Sequence, residues 1–194
     1  MIPLIRQSAT HNVGAHETEG ILLMPNSRAL SRRRHPGDAS RYHSDESSNE
    51  VTVSDPTRVI AAARSWLGTP YHDQASLRGV GCDCLGLARG VWREVVGPEP
   101  FPIPPYSRDW GETGPREVLA DGARRMMPEI APAEAPPGAL ILFRMVPRAI
   151  AKHVGILTGP DTFLHAYERL GVIEEPLTPA WRRRIAFAFL FPAR

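Results

Sequence analysis

The chain has little cysteine, no long hydrophobic run and no strong excess of charge. Its 194 residues include two cysteines, and 23 basic residues nearly balance 21 acidic ones, for a formal net charge of +2. A bridge between Cys82 and Cys84 would be strained because one residue separates them, so the sequence excludes a disulfide framework. The small charge excess gives no support for nucleic-acid binding. We expect one packed domain with free thiols and no nucleic-acid partner.

Export and membrane signals are also missing from the sequence. Residues 1–6 lack the basic start followed by a long apolar stretch that is typical of a secretory signal, and no later run approaches membrane-spanning length. We therefore expect no membrane span, and synthesis in the cytoplasm without a signal peptide. Residues 1–52 are polar and show almost no apolar periodicity, which predicts a disordered N-terminal extension, with an over-early start codon as the alternative origin. Residues 53–194 are expected to form the folded domain.

A thiol stands at the start of a predicted helix. The segment Gly81–Leu87 ends a loop, Asp83 suits an N-cap, and apolar residues then recur at helical spacing until Gly97. Cys84 therefore lies in the first turn, where free backbone N–H groups favour a thiolate. The helix dipole contributes roughly 0.3–1 kcal/mol, less than the roughly 1.4 kcal/mol of one pKa unit. We expect a nearby imidazolium to supply most of the shift.

The remaining pattern places helices before strands. Helices are predicted at 56–67 and 117–127, and strands at 139–143, 152–158, 162–167, 171–175 and 185–191. This order favours an α+β fold in which N-terminal helices pack on an antiparallel sheet. The proline-rich stretch 98–105 suits an extended rim, with Tyr106 and Trp110 as packing groups or walls of a cleft.

Two histidines fall on neighbouring predicted strands. With a three-residue loop at 159–161, His153 lies opposite Tyr167 and His165 lies opposite Gly155, which puts both imidazoles on one face. A two-residue loop would put them on opposite faces. On the first register Cys84 is the candidate nucleophile, His153 the base that takes and returns the proton, and His165 the group that orients His153.

Two further expectations concern the same site. The backbone N–H of Cys84 and the hydroxyl of Tyr71 are candidates to stabilise an oxyanion. The alternatives are a purely structural role for these buried residue types and a zinc site made by Cys82, Cys84, His153 and His165. The zinc alternative is weaker because Cys-x-Cys is shorter than usual ligand spacing.

These motifs resemble those of the NlpC cysteine peptidases. The residues that carry the resemblance are Thr69-Pro70-Tyr71, Asp83-Cys84-Leu85-Gly86-Leu87, His153-Val154-Gly155-Ile156 and Phe163-Leu164-His165-Ala166. The resemblance implies a papain-like α+β domain over 53–194 that cleaves peptide stems of bacterial peptidoglycan, commonly between D-glutamate and a diamino acid. It implies Cys84, His153 and His165 as catalytic residues and Tyr71 as a substrate-facing residue. It implies no metal and no organic cofactor.

The variant resembled most closely is found among phage tail-tip and gene-transfer-agent proteins. Gly81–Leu87, Arg89–Arg93 and Pro105–Ser107 carry this likeness. It implies tail-tip proteins as partners and incorporation into a phage-like particle. The chain departs from the wider family at Leu85, where serine is usual, and at Ala139, where an acid is frequent. Amidase or acyltransferase chemistry and a catalytically silent tail component are the alternative functions.

Overall fold

The computed structural model describes residues 52–106 and 116–194. The helices in these ranges are α1 (Pro56–Arg64), α2 (Cys84–Val95), α3 (Val118–Arg124) and α4 (Pro179–Arg182), with a 3-10 turn at Pro132–Glu134. The strands are β1 (Ser76–Leu77), β2 (Gly81–Cys82), β3 (Glu129–Ile130), β4 (Leu140–Phe143), β5 (His153–Gly159), β6 (Thr162–Tyr167), β7 (Gly171–Pro176) and β8 (Ile185–Phe189). The α+β class predicted from the sequence is confirmed.

Both long helices begin at capping aspartates. The Asp55 side chain accepts a hydrogen bond from the N–H of Thr57, and Pro56 occupies the first turn of α1. The Asp83 side chain accepts from the N–H of Gly86 at the start of α2. These caps satisfy N–H groups that have no partner inside the helix. Cys84 is consequently the first helical residue of α2.

The larger sheet has six antiparallel strands in the order β3-β8-β4-β5-β6-β7. Strand β8 lies inside the sheet, as its apolar sequence predicts. The small β1-β2 sheet, β3 and α4 were not predicted, because two-residue strands and a single helical turn leave little periodicity. Helix α1 was predicted to reach residue 67, but it ends at Arg64 and continues as turns to Gly68.

The β5-β6 hairpin has the predicted register but not the predicted loop. Ile156 lies opposite Leu164, as the three-residue loop required. Gly159 nevertheless pairs with Thr162, so that the turn contains only residues 160–161. A bulge in β5 just before Gly159 absorbs the extra residue and restores the register. The two histidines therefore share one face of the sheet.

The two faces of the sheet carry separate apolar clusters. On the helix face, residues of α1 and α2 meet the strands, and the cluster includes Val59, Ala63, Leu87, Val91, Leu142, Val154, Ile156 and Leu164. The opposite face, here called the aromatic face, carries Ile141, Phe143, Leu157, Phe163 and Ala188 with Trp181 packed on them. Strand alternation places His153 and His165 on the aromatic face.

Two predictions fall outside the described residues. The disordered extension predicted for residues 1–52 overlaps the described part only at residue 52. The packing or cleft role suggested for Trp110 also concerns a residue outside those ranges. Both stay predictions.

Candidate active site

The thiol of Cys84 lies where α2 meets the start of β5. Its Sγ is 4.0 Å from the carbonyl oxygen of Lys152 and also interacts with the backbone N–H of Val154. The side chain is partly buried. The thiol therefore contacts the backbone on both sides of His153, as a helix-borne nucleophile beside a strand-borne base requires.

Asp83 organises the loop that presents the thiol. This carboxylate is 3% exposed and accepts hydrogen bonds from the N–H groups of Gly86 at 2.6 Å and Gln74 at 2.7 Å. The Tyr106 hydroxyl donates a third hydrogen bond to it at 2.6 Å. Three donors offset much of the desolvation of a buried carboxylate. The structure thus places Tyr106 on the cap of the cysteine helix, a contact that the sequence did not indicate.

Two motif glycines allow close approaches around the site. A Cβ built on Gly86 would lie 1.8 Å from the carbonyl oxygen of Ala75, so α2 presses directly on the preceding loop. A Cβ on Gly155 would lie 2.9 Å from Phe163 and 3.1 Å from Phe143. The glycine between the two histidine positions therefore makes room for the rings of the aromatic face.

The two imidazoles contact each other directly. His153 Nε2 and His165 Nδ1 are 2.7 Å apart, a hydrogen-bond distance. Trp181 covers the pair, with its ring centroid 6.0 Å from that of His153 and 5.3 Å from that of His165. His165 is completely buried. Packing and hydrogen bonding together hold both rings in fixed orientations.

The contact between the imidazoles leaves one nitrogen of His153 without a partner in that pair. Because Nε2 is engaged by His165, Nδ1 is the nitrogen left to accept a proton, and it is also the nitrogen nearer the backbone that Sγ contacts. No hydrogen bond joins Sγ to the His153 ring within the described residues.

The imidazolium expected from the sequence is disfavoured, because burial favours the neutral forms of the thiol and of both imidazoles. Burial raises the pKa of the Cys84 thiol to about 12, reinforced by the charge of Asp83 and opposed by backbone N–H groups. Burial lowers the pKa of His153 to about 3, with a further contribution from His165, and lowers the pKa of His165 to about 4. Desolvation therefore outweighs the helix N-terminus, and the resting pair is a neutral thiol and a neutral imidazole.

Sequence reasoning missed a carboxylate at the far end of the imidazole pair. Oε1 of Glu175 lies 2.8 Å from His165 Nε2, but outside the geometry of a hydrogen bond. Glu175 pairs with Phe163, two residues from His165, so strand alternation puts it on the same face. A register for the β6-β7 pair would have revealed it, but no turn signal in the sequence fixed that register.

Tyr71 reaches the same region from the loop before α2. It pairs with Cys82 in an isolated parallel bridge. Tyr71, His153, Tyr167 and Arg169 line a cavity of about 390 Å³ that continues over the end of β6. Burial, followed by the nearby acidic groups Cys84, Asp73 and Asp83, raises the pKa of Tyr71. Its hydroxyl thus remains a neutral hydrogen-bond donor near the thiol.

The described residues contain neither a cluster suited to a metal ion nor a membrane-spanning helix. In residues 52–106 and 116–194 no group of three or more His, Cys, Asp or Glu side chains is arranged to hold a metal ion. Within the same ranges no helix is long and apolar enough to cross a bilayer. Cys82, which belonged to the zinc alternative, is a fully buried free thiol in the core of the helix face.

A family model identifies the domain that carries this site. Residues 68–188 match the model of the NlpC/P60 family, a span that contains the thiol, both histidines and Glu175. The chain belongs to the NlpC/P60 family. The resemblance seen in the sequence is thereby confirmed at the level of the family, while the phage-associated type and the individual catalytic roles stay predictions.

Known NlpC/P60 proteins agree with this assignment. The murein DD-endopeptidase MepS/murein LD-carboxypeptidase of Escherichia coli is 29% identical over 164 residues, which cover 84% of this chain and 76% of that protein. A lipoprotein-like NLP/P60 structure from Staphylococcus aureus has a TM-score of 0.50 at 22% identity, covering 73% of this chain and 43% of the other. An NlpC/P60 structure from Bacillus cereus has a TM-score of 0.50 at 21% identity, covering 73% and 42%. The structural likenesses support the NlpC-type fold.

Proposed function

We propose that this chain is a cysteine peptidase that hydrolyses peptide stems of bacterial peptidoglycan. The observation that carries the proposal is the position of Cys84 Sγ against the backbone flanking His153, whose Nε2 is bound by His165. The E. coli relative, named as a murein endopeptidase and carboxypeptidase, supports the substrate class.

The reaction begins with two neutral groups. As Sγ of Cys84 attacks the carbonyl carbon, the thiol proton passes to Nδ1 of His153, and the carbonyl electron pair moves to its oxygen. The N–H of Cys84 and the Tyr71 hydroxyl are the donors proposed for that oxyanion. His153 then returns the proton to the leaving amine, and water releases the acyl group from the thioester. The ion pair therefore forms only with substrate bound.

The bond cleaved is part of the proposal. The sequence resemblance favours the bond between D-glutamate and the diamino acid, whereas the E. coli relative is named for DD-endopeptidase and LD-carboxypeptidase activities. The open cavity beside His153 suits a peptide that continues on both sides of the scissile bond.

The test is digestion of purified diaminopimelate-type peptidoglycan by the full chain, with mass spectrometry of the released fragments. Cleavage after D-glutamate leaves L-Ala-D-Glu on the glycan, a DD-endopeptidase converts cross-linked dimers to monomers, and an LD-carboxypeptidase releases single D-alanine residues. Cys84→Ala should release nothing. Products in which the acyl group is transferred to an added amine would instead indicate an acyltransferase.

Release of fragments by both the wild type and Cys84→Ala would contradict a role for Cys84. Release of fragments by neither protein would favour the catalytically silent alternative. Cys82→Ser is the matched control, because Cys82 lies two residues away but is buried in the core. Equal loss in the two cysteine variants would also contradict the assignment of the nucleophile.

We further propose that the chain acts as part of a phage-like tail tip. The support is the likeness of Gly81–Leu87 and Arg89–Arg93 to tail-associated members. A tail-delivered enzyme relies on its particle to reach the wall, so the purified chain should lyse intact cells weakly while digesting isolated peptidoglycan. Rapid lysis of intact cells by the pure protein would contradict this proposal.

A further inference from the structure

We propose that Glu175 is a positioning residue that fixes the direction of the imidazole hydrogen-bond chain, so that Nδ1 of His153 is the unprotonated nitrogen. The inference rests on the proposed thiol peptidase function. It adds to the three expected catalytic groups a fourth residue that touches neither thiol nor substrate. The carboxylate acts only through His165.

Two short contacts link Glu175, His165 and His153 in a row. Oε1 of Glu175 is 2.8 Å from Nε2 of His165, and Nδ1 of His165 is 2.7 Å from Nε2 of His153. His165 is fully buried, so no bulk water reaches its Nε2 to compete with the carboxylate. The Glu175 contact lies outside hydrogen-bond geometry, but a carboxylate charge at this distance favours a proton on His165 Nε2, and the hydrogen bond from His165 then sets the proton position on His153.

Only one proton arrangement suits an ionised Glu175. An unprotonated Nε2 on His165 would set its lone pair against a carboxylate oxygen at 2.8 Å, which is repulsive, so the proton resides on Nε2. Nδ1 of His165 is then an acceptor, and His153 must donate from Nε2. The Nδ1 lone pair of His153 is left free, and this is the nitrogen that can accept the thiol proton.

The reverse arrangement would disable the base. If position 175 donated a proton to His165 Nε2, His165 would donate from Nδ1 and His153 would accept at Nε2. The proton of His153 would then reside on Nδ1, the nitrogen needed to receive the thiol proton. An acceptor at position 175 is therefore required, and a carboxylate is the side chain that only accepts when ionised.

Trp181 holds the carboxylate in place. Its side chain lies close enough to Glu175 to lower the pKa of that carboxyl, which partly offsets the rise caused by burial. The guanidinium of Arg184 lies over the indole ring at 5.5 Å. Helix α4 thus both covers the imidazole pair and orients the acceptor behind it.

The first test reads proton positions directly and needs no substrate. Full-length chain labelled with 15N-histidine is studied by NMR at pH 7, with signals assigned from His153→Gln and His165→Gln variants. The wild type should show both rings protonated on Nε2 and unprotonated on Nδ1. In Glu175→Gln the carboxamide can either accept or donate, so the Nδ1 and Nε2 signals of His153 should move towards each other.

The second test uses kinetics with a matched control. Glu174→Gln removes a carboxylate from the adjacent position, where Glu174 points away from the imidazoles and pairs with Arg64 at 2.7 Å. We expect Glu175→Gln to lower kcat about tenfold with KM unchanged, because only the fraction of correctly protonated His153 falls. Glu174→Gln should stay within about twofold of wild type, as expected for an exposed ion pair.

A proton on Nδ1 of His153 in the wild type would overturn the proposal, as would an unchanged nitrogen pattern in Glu175→Gln. The wild-type spectrum decides even if the variant fails to fold. If the chain proves not to hydrolyse peptidoglycan, the NMR result still stands or falls by itself, so the two failures are distinguishable.

Discussion

The helix face and the aromatic face of the central sheet differ in composition: one is packed by apolar helices, and the other holds ionisable side chains among aromatic rings. The helix face is apolar, and its strands and helices interlock to fix the position of α2 and hence of Cys84. The aromatic face instead encloses three ionisable groups, His153, His165 and Glu175, among rings. One face places the candidate nucleophile, and the other places the candidate base. The thiol contacts the backbone at the start of β5, beside His153.

This division explains why neither partner is charged at rest. The thiol and the imidazoles are all desolvated, and desolvation disfavours the charged form of each. Rigid packing on two faces therefore delivers the partners as a neutral pair. In the reaction proposed above, charge develops on the two partners only as the thiol proton is transferred.

The largest effect should come from removing the nucleophile at the junction of the two faces. We expect Cys84→Ala to lower kcat/KM on stem-peptide substrate by about 10³-fold or more, as loss of a covalent catalyst does. Cys82→Ser should retain the wild-type kcat per folded molecule while losing about 1–3 kcal/mol of stability from a buried hydroxyl. Initial rates and denaturant unfolding measure the two quantities. A full loss of activity in both would show that the thiols are not separable.

The second largest effect should come from overpacking the helix face. Gly86→Ala drives a Cβ into the Ala75 carbonyl oxygen and should destabilise the chain by about 3 kcal/mol, within or just above the usual range for overpacking. Gly122→Ala is the control, because nothing lies within 4 Å of its Cβ and alanine favours a helix. That variant should gain up to about 1 kcal/mol. Equal unfolding midpoints in urea for the two variants would contradict the close approach.

The buried histidines of the aromatic face should make the stability of the chain depend on pH. The pKa of His165 is about 4 in the folded chain and about 6.5 when unfolded, so the unfolded chain binds more protons between these values. Stability is complete above pH 6.5 and falls as the pH drops towards 4, by up to about 1.4 kcal/mol per unit for this residue. His165→Asn removes this contribution and leaves that of His153, whose pKa is also lowered, so the profile of the variant should be less steep than that of the wild type. Parallel wild-type and variant profiles, measured by urea unfolding from pH 7 to pH 5, would argue against this.

The smallest effect should come from the exposed edge of the helix face, where the end of α1 meets β7. Arg64 and Glu174 form a two-pronged ion pair with side chains that are 49% and 24% exposed. Arg64→Ala should cost less than about 1 kcal/mol and leave activity unchanged, and 1 M salt should reduce even that difference. Thermal unfolding at low and high salt measures it. A loss of stability well above 1 kcal/mol would contradict the small contribution expected of an exposed ion pair.

The sequence determined the local elements and the identity of the candidate residues. Asp83 and the apolar repeat after it located the cysteine helix, alternation located β5 and β6, and four short motifs around Tyr71, Cys84, His153 and His165 carried the family resemblance. These are short-range properties, set by capping, spacing and side-chain alternation within a few residues. The hairpin register followed from the same alternation, although a bulge rather than a third loop residue maintains it.

Only the tertiary structure decided the charge states and the fourth residue of the site. Whether Cys84 and His153 are ionised depends on how completely other segments bury them, and the sequence prediction of an imidazolium was wrong for that reason. Glu175, Trp181 and Tyr106 reach the site through pairing of β6 with β7, docking of α4 and the return of the proline-rich segment. Such contacts depend on the packing of distant segments, and no local pattern records them.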